Sequence, residues 1–217
     1  TSDATGTITV GAGALDQIII LDGISGNIGS EVDILSLNTG QTQTMHMAGY
    51  DQDNNYIRDI SVQWGVQGSI GTISTGTNFV TSTVFTATTI GTGTVQADTS
   101  SFQDQTGIIT VSGGSLSYLL IRDEANGGGS EVEDVTLTTD ESLILYAAGY
   151  DADDNYLSDV NGTWSTTGTL DAVSSSGTSI EFAPSTSLTS GTISVGSTGV
   201  TSDATGTITV GAGALDQ

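Results

Sequence analysis

The sequence predicts an all-β protein made of β-sandwich modules joined end to end by short linkers. Three observations predict it. Apolar and polar residues alternate with a period of two, a divergent repeat recurs after 100 positions, and glycine-marked turns recur roughly every 8–12 residues.

The alternation is clearest in "DISVQW", where Ile60, Val62 and Trp64 fall on one face and Ser61 and Gln63 on the other. In "TQTMHM", Met45 and Met47 share a face, which leaves Thr44 and His46 opposite and points His46 outward. "TGTITV" and "GTISV" read the same way. Thr, Ser, Val and Ile dominate these runs, and β-branched residues suit a pleated surface. No 3.6-residue apolar pattern persists over two turns. A module of about 100 residues with about seven short strands and one Trp in an early-middle strand matches an immunoglobulin-like sandwich. Trp64 and Trp164 are therefore expected in the core, with Met45 and Met47 beside them.

The repeat has two levels. "TSDATGTITVGAGALDQ" is residues 1–17 and again residues 201–217, identical at all 17 positions. This implies a window onto a tandem array whose unit is 200 residues. Within the unit, "SEVDILSL" (30–37) matches "SEVEDVTL" (130–137), and Trp64 matches Trp164. "QTGIITVSGG" (105–114) likewise matches "ATGTITVGAG" (204–213). The expected boundaries are one module at 14–114 and a second at 115–213. Residues 1–13 would be the final strand of a preceding repeat and 214–217 the start of the next. The chain opens without an initiator Met or a signal peptide and reads as a piece of a longer polypeptide. The linkers "VSGGSLS" and "VGAGALDQ" are short, which leaves successive modules little slack.

Composition removes several functions. The formal net charge is −23, with Arg58 and Arg122 the only basic residues and no lysine. No basic patch can displace counterions from phosphates, so nucleic acid is excluded as a partner. An anionic membrane surface repels such a chain, and no run is long enough to insert as a helix. Disorder, the usual reading of a very acidic chain, fails because 35% of the residues are hydrophobic and they alternate. No cysteine is present, so there is neither a disulfide framework nor a thiolate metal site. One histidine supports no Ser-His-Asp set, and the chain is read as a non-enzyme. The sequon Asn161-Gly162-Thr163 has no counterpart in the first module and is read as incidental.

The acids are 19 Asp against 6 Glu, a loop-forming bias. "GYDQDNNYIRD" (49–59) returns as "GYDADDNYLSD" (149–159). Asp51, Asp53, Asn55 and Asp59 therefore match Asp151, Asp153, Asn155 and Asp159. Alternating oxygens in a tight turn are what Ca2+ uses. An EF-hand is rejected, because Tyr56 replaces the glycine at position six and Val62 the glutamate at position twelve. A half-site remains, to be completed at the entry pole of each sandwich by Asp104 in the first module and Asp203 in the second, whose array copy is Asp3. The alternative is an ordinary hairpin turn that happens to be acidic, since Asp and Asn stabilise turns through bonds to their own backbone.

A strand ending "AGYD", a short polar turn, "NYxxD", a strand ending in Trp and a closing "TGxITV" resemble bacterial Ig-like domains. These are strung together in invasin- and intimin-type adhesins. The resemblance covers essentially the whole chain. Family members commonly carry Asp-x-x-Gly-Asn-Pro in this turn, whereas here the Gly position is Asn54 or Asp154 and the Pro position Tyr56 or Tyr156. The resemblance implies an extracellular or cell-surface structural repeat without catalysis. Its partners would be neighbouring identical repeats, with lateral self-association through exposed strand edges. The alternatives are an adhesin module that binds glycan or protein through Tyr50, Tyr56, Tyr150 and Tyr156, and an accessory domain of a secreted enzyme.

Overall fold

The computed structural model describes residues 5–214, and all regular structure in them is β-strand. The contacts divide the chain into two compact units between Ser112 and Gly113.

In the first unit the strands are β1 (Gln17–Asp22), β2 (Leu35–Asn38), β3 (Thr42–Tyr50), β4 (Tyr56–Asp59), β5 (Val62–Gln67), β6 (Gly71–Ile73), β7 (Phe79–Val80), β8 (Ser82–Ala87), β9 (Gly91–Asp98), β10 (Gln103–Gln105) and β11 (Ile109–Ser112). One sheet runs β1-β3-β8-β6, with β4 beside β3. The other runs β2-β11-β9-β5-β7, with β10 beside β9. The alternating apolar residues of both sheets meet in one buried cluster. Ile18, Ile20, Met45, Met47 and Phe85 come from the first sheet, and Val62, Trp64, Val95, Ile109 and Val111 from the second. This is a β-sandwich, and the face predicted for Ile60, Val62 and Trp64 is the buried one.

The second unit repeats the plan with β12 (Tyr118–Arg122), β13 (Val135–Thr138), β14 (Leu143–Tyr150), β15 (Tyr156–Asp159), β16 (Gly162–Thr166), β17 (Ser174–Gly177), β18 (Ser179–Phe182), β19 (Thr189–Gly191), β20 (Ile193–Gly196), β21 (Asp203–Ala204) and β22 (Ile208–Gly211). The long β9 of the first unit corresponds to β19 and β20 here, interrupted at Thr192. The counterpart of the β2-β11-β9-β5-β7 sheet therefore separates into β13-β22-β19 and β17-β16-β20-β21. Breaks of this kind yield more strand segments than the seven expected.

In both units the last strand closes the sandwich. β11 runs parallel to β2 and antiparallel to β9. β22 runs parallel to β13 and antiparallel to β19. Each is preceded by a glycine pressed on the facing backbone. A Cβ on Gly107 would collide with the Asp33 carbonyl, and one on Gly206 with the Asp134 amide.

His46 corrects the expectation of an outward face, because it is fully buried. The loop between β1 and β2 folds over that side of β3, and the imidazole Nε2–H donates to the Gly26 carbonyl at 2.7 Å. In the second unit Arg122 holds the corresponding loop, its guanidinium donating to the carbonyls of Gly127, Gly128 and Gly129.

Trp164 is fully buried, with its indole N–H on the Gly177 carbonyl at 3.0 Å. Replacement by Ala removes both the packing and the donor. Trp164→Ala is expected to destabilise the second unit by about 3–5 kcal/mol in urea unfolding followed through that unit's signal.

Candidate functional site

The acidic turn follows a nine-residue strand that ends in a β-bulge. Between Gly49 and Tyr50 the register of β3 against β4 shifts, and the same shift occurs between Gly149 and Tyr150 against β15. The chain then reverses over Asp51–Asn55. Asn54 (φ 61°) and Asp154 (φ 64°) take the left-handed conformation at the family's glycine position. Asn and Asp tolerate it better than other L-residues.

The Asp51 carboxylate is the centre of this turn and is 4% exposed. Oδ1 accepts the backbone N–H of Asp53 at 3.0 Å and of Asn55 at 2.8 Å. Oδ2 accepts the Gly13 N–H at 2.6 Å. The Asn55 side-chain amide reaches both oxygens at 3.1 Å. These donors, the Gly13 amide first and the Asn55 amide next, hold the Asp51 carboxyl below the usual carboxylate range. Asp151 repeats the pattern with Gly114 at 3.0 Å, Asp153 at 3.0 Å and Asn155 at 2.9 Å. Each turn is thereby fastened to the segment that leads into its own first strand.

The remaining predicted residues lie elsewhere. Asp53 and Asp153 are exposed on the turn. Asp59 sits at the far end of β4, where it accepts the Gly26 N–H at 2.9 Å and the Tyr56 hydroxyl at 2.8 Å. Asp159 does the same with the Asn126 N–H and the Tyr156 hydroxyl, both at 3.0 Å. Asp104 lies on β10 and accepts the Ile20 N–H at 2.7 Å. Asp203 on β21 accepts that of Ile121 at 2.7 Å. Ile20 is in register with Met47, four residues before Asp51, so Asp104 serves the middle of β1 and not the turn. Burial pushes the Asp104 carboxyl up, against the opposing pull of the Ile20 and Gln105 amides. The expectation that Asp104 and Asp203 complete the turn sites is therefore corrected. β1 and β12 are edge strands, and these carboxylates occupy the free amides of the edges. Among the described residues, no group of three or more Asp, Glu or His side chains stands ready to hold a metal ion.

The tyrosines are tied down as well. Tyr50 is 8% exposed and donates its hydroxyl to Asn27 at 2.8 Å. Tyr50 and Tyr56 meet edge to face at 6.0 Å, as do Tyr150 and Tyr156 at 5.8 Å. Tyr118 stacks on Tyr150 at 5.4 Å and donates to Asp154 at 2.7 Å.

Sequence reasoning missed the donors: the Gly13 and Gly114 amides in the linkers, and the Gly26 and Asn126 amides in the glycine-rich loops. The glycine-rich spellings "GAGA" and "GGS" were the available signal. It also missed Asp171, which accepts from Ser185 and Thr186. The Thr186 and Ser185 groups bring its carboxyl down to about 2.

The fold and these anchors define a class, a tandem of two immunoglobulin-like β-sandwiches braced by buried or half-buried carboxylates. No family model matches the chain, and no curated protein sequence does. Among solved structures it is similar to the Escherichia coli adhesin FdeC, with 16% identity and a TM-score of 0.44 over 95% of this chain and 68% of that one. It is also similar to the Yersinia pseudotuberculosis adhesin InvE, with 15% identity and a TM-score of 0.35 over 82% of this chain and 56% of that one. Domains 4–9 of the surface-layer protein SbsC align at 14% identity and a TM-score of 0.34 over 91% of this chain and 31% of that one.

Burial first, then the hydrogen bond to Asp154 and the charges nearby, raise the Tyr118 phenol from 10.0 to about 12. A phenol raised in the folded state contributes stability that is complete below pH 10 and is lost as pH rises toward about 12. The first unit has Gln17 at this place. Melting the wild type and Tyr118→Phe across this range is expected to show a steeper alkaline loss in the wild type.

Proposed function

We propose that the chain is a structural repeat: two Ig-like modules forming one 200-residue period of a long extracellular or cell-surface stalk or filament. The observation that carries this reading is the identity of residues 1–17 with 201–217, where the second copy supplies the closing strand of a sandwich. A sequence that ends a module and is spelled again ahead of the next one is the signature of an array. Its partners are then neighbouring repeats. The mechanism is mechanical. Each sandwich is a stiff bead, and the Asp51 and Asp151 locks fix the segment on which each bead is threaded. A surface almost devoid of Lys and Arg limits adventitious binding and offers trypsin-like proteases few sites. Antibody against the chain is expected to label intact cells of the source organism along extended structures. Labelling only after permeabilisation would overturn the surface reading.

Calcium at the turns stands as the competing proposal to the hydrogen-bonded lock. An open depression of about 380 Å³ beside the turn is lined by Asp16, Asp51, Asp53 and Asn55. Of these, the Asp51 oxygens already accept N–H groups and would have to share them with an ion. Melting in calcium and in chelator separates the two. The lock predicts an unchanged midpoint. Calcium predicts a rise equivalent to roughly 2.7 kcal/mol per site at about 100-fold excess over the dissociation constant. A glycan-binding module would need exposed rings, whereas Tyr50 and Tyr150 are buried and the hydroxyls of Tyr50, Tyr56 and Tyr156 are already engaged. Silence on a glycan array is expected.

A further inference from the structure

The sequon Asn161-Gly162-Thr163 opens β16, and its side chains divide as a strand dictates. Gly162 faces the core, where a Cβ would strike the Val195 side chain. Asn161 and Thr163 are exposed. Pairing on both sides holds the stretch extended, with Thr163 opposite Ser176 of β17 and Gly196 of β20. The hydroxyls that follow are taken. Ser165 meets Ser194 at 3.0 Å, Thr166 accepts the Val173 N–H at 3.1 Å, and Thr167 meets Thr192 at 2.8 Å. By contrast, among the described residues the Asn161 side-chain amide and the Thr163 hydroxyl bond to nothing. The asparagines of the acidic turns are in the opposite state, with Asn55 held on Asp51 and Asn155 on Asp151. Asn161 and Thr163 also stand on the wall of an open depression of about 540 Å³. The rest of its lining is Gly162, Ser176, Gly196, Ser197 and Thr198, so no charged group faces it in a chain of net charge −23. At the matching place the first unit has Ser61 and Gln63, and the depression beside Ser61 is lined by Arg58 and Asp59.

We propose that Asn161 is a modification site that carries one N-linked saccharide in each 200-residue period. The donor class is a saccharide activated at C1 by a lipid-linked phosphate or pyrophosphate, delivered by an oligosaccharide transferase. The Asn161 Nδ2 attacks C1. The N–C1 bond forms as the C1–O bond to phosphate breaks, and the phosphate leaves with that bonding pair. One Nδ2 proton passes to a base of the transferase. The Thr163 hydroxyl is the group by which a sequon is recognised, and in this fold it is free for that task. Packing accounts for Gly162, but it asks nothing of Asn161 or Thr163, whose counterparts Ser61 and Gln63 serve the same fold. A saccharide added before folding is accommodated as well. The depression leaves room for the first sugar, and the hydroxyls of Ser176, Ser197 and Thr198 on its wall are the donors and acceptors that a neutral sugar uses. No hydrogen bond of the fold has to break. The inference rests on the extracellular reading, because such donors serve exported chains, and adds a decoration at fixed spacing on the second unit alone.

The test uses the chain isolated from its source organism and cleaved on the N-terminal side of aspartate, which releases residues 159–170 with Asn161 as their one asparagine. Mass spectrometry, with fragmentation that preserves side-chain modifications, is expected to place at least one sugar residue on Asn161. Expressed in the same organism, Asn161→Gln and Thr163→Ala are expected to lose that mass, and Thr163→Ser to keep it. The two Thr163 variants leave the acceptor intact, so they separate recognition of the sequon from loss of the amide. A bare Asn161 overturns the inference. Sugar confined to the serines and threonines of the peptide overturns it too, as does mass on Asn161 that survives Thr163→Ala. Surface labelling of intact cells with a bare Asn161 removes this inference alone, whereas labelling only after permeabilisation removes the reading on which it rests.

Discussion

Each sandwich depends on its last strand. β11 and β22 are the only strands that run parallel to an early strand while pairing antiparallel with a late one among the described residues. They deliver Ile109 and Val111, or Ile208 and Val210, into cores that both sheets share. Each pair is worth several kcal/mol of apolar burial, at about 1.5–3 kcal/mol per fully buried side chain. Without that strand, β2 and β13 lose their neighbour and the core lies open along one side. The glycine ahead of it, Gly107 or Gly206, lets the backbone approach closely enough for the strand to seat.

Around this closure the carboxylates act as fixed acceptors. Asp104 and Asp203 sit one or two turns of chain before the closing strand and bond the middle of β1 and β12. The same isoleucines' carbonyls or neighbouring groups receive Val32 and Val132 from the following loop, so the edge strand is covered from two directions. Asp59 and Asp159 pin that loop at its other end. Asp51 and Asp151 gather the turn and the entering segment. A short Asp reaches a backbone amide two to four residues away, which the longer Glu does less well. This gives the 19 to 6 bias a structural cause. A carboxylate satisfied by several N–H groups also retains its charge without a counterion, and a chain of net charge −23 can fold around such groups.

The two units solve the same problem with different letters. His46 supports the loop over β3 in one, and Arg122 does so in the other. Asn54 receives Gln17, and Asp154 receives Tyr118. What persists is the role, a donor to the glycine-rich loop and a bond from the first strand to the turn. Divergent side chains thus maintain one geometry.

The alternating pattern, the 100-residue repeat and the Trp positions determined the sandwich by themselves, because periodicity and apolar content dictate which face of a strand is buried. The recurrence of Asp51, Asp53, Asn55 and Asp59 at 151, 153, 155 and 159 made a repeated acidic turn legible, and in the structure Asp51, Asp59 and their counterparts are hydrogen-bonded while Asp53 and Asp153 lie exposed. Their partners were not legible. Whether a carboxylate meets a cation or an amide depends on which backbone groups the tertiary fold brings within 3 Å, and Gly13, Gly26 and Ile20 are 38, 33 and 84 residues from theirs. Only the fold separated Asp104 from the turn and buried His46 beneath a loop, because both outcomes depend on backbone groups, Ile20 and Gly26, that are distant in sequence.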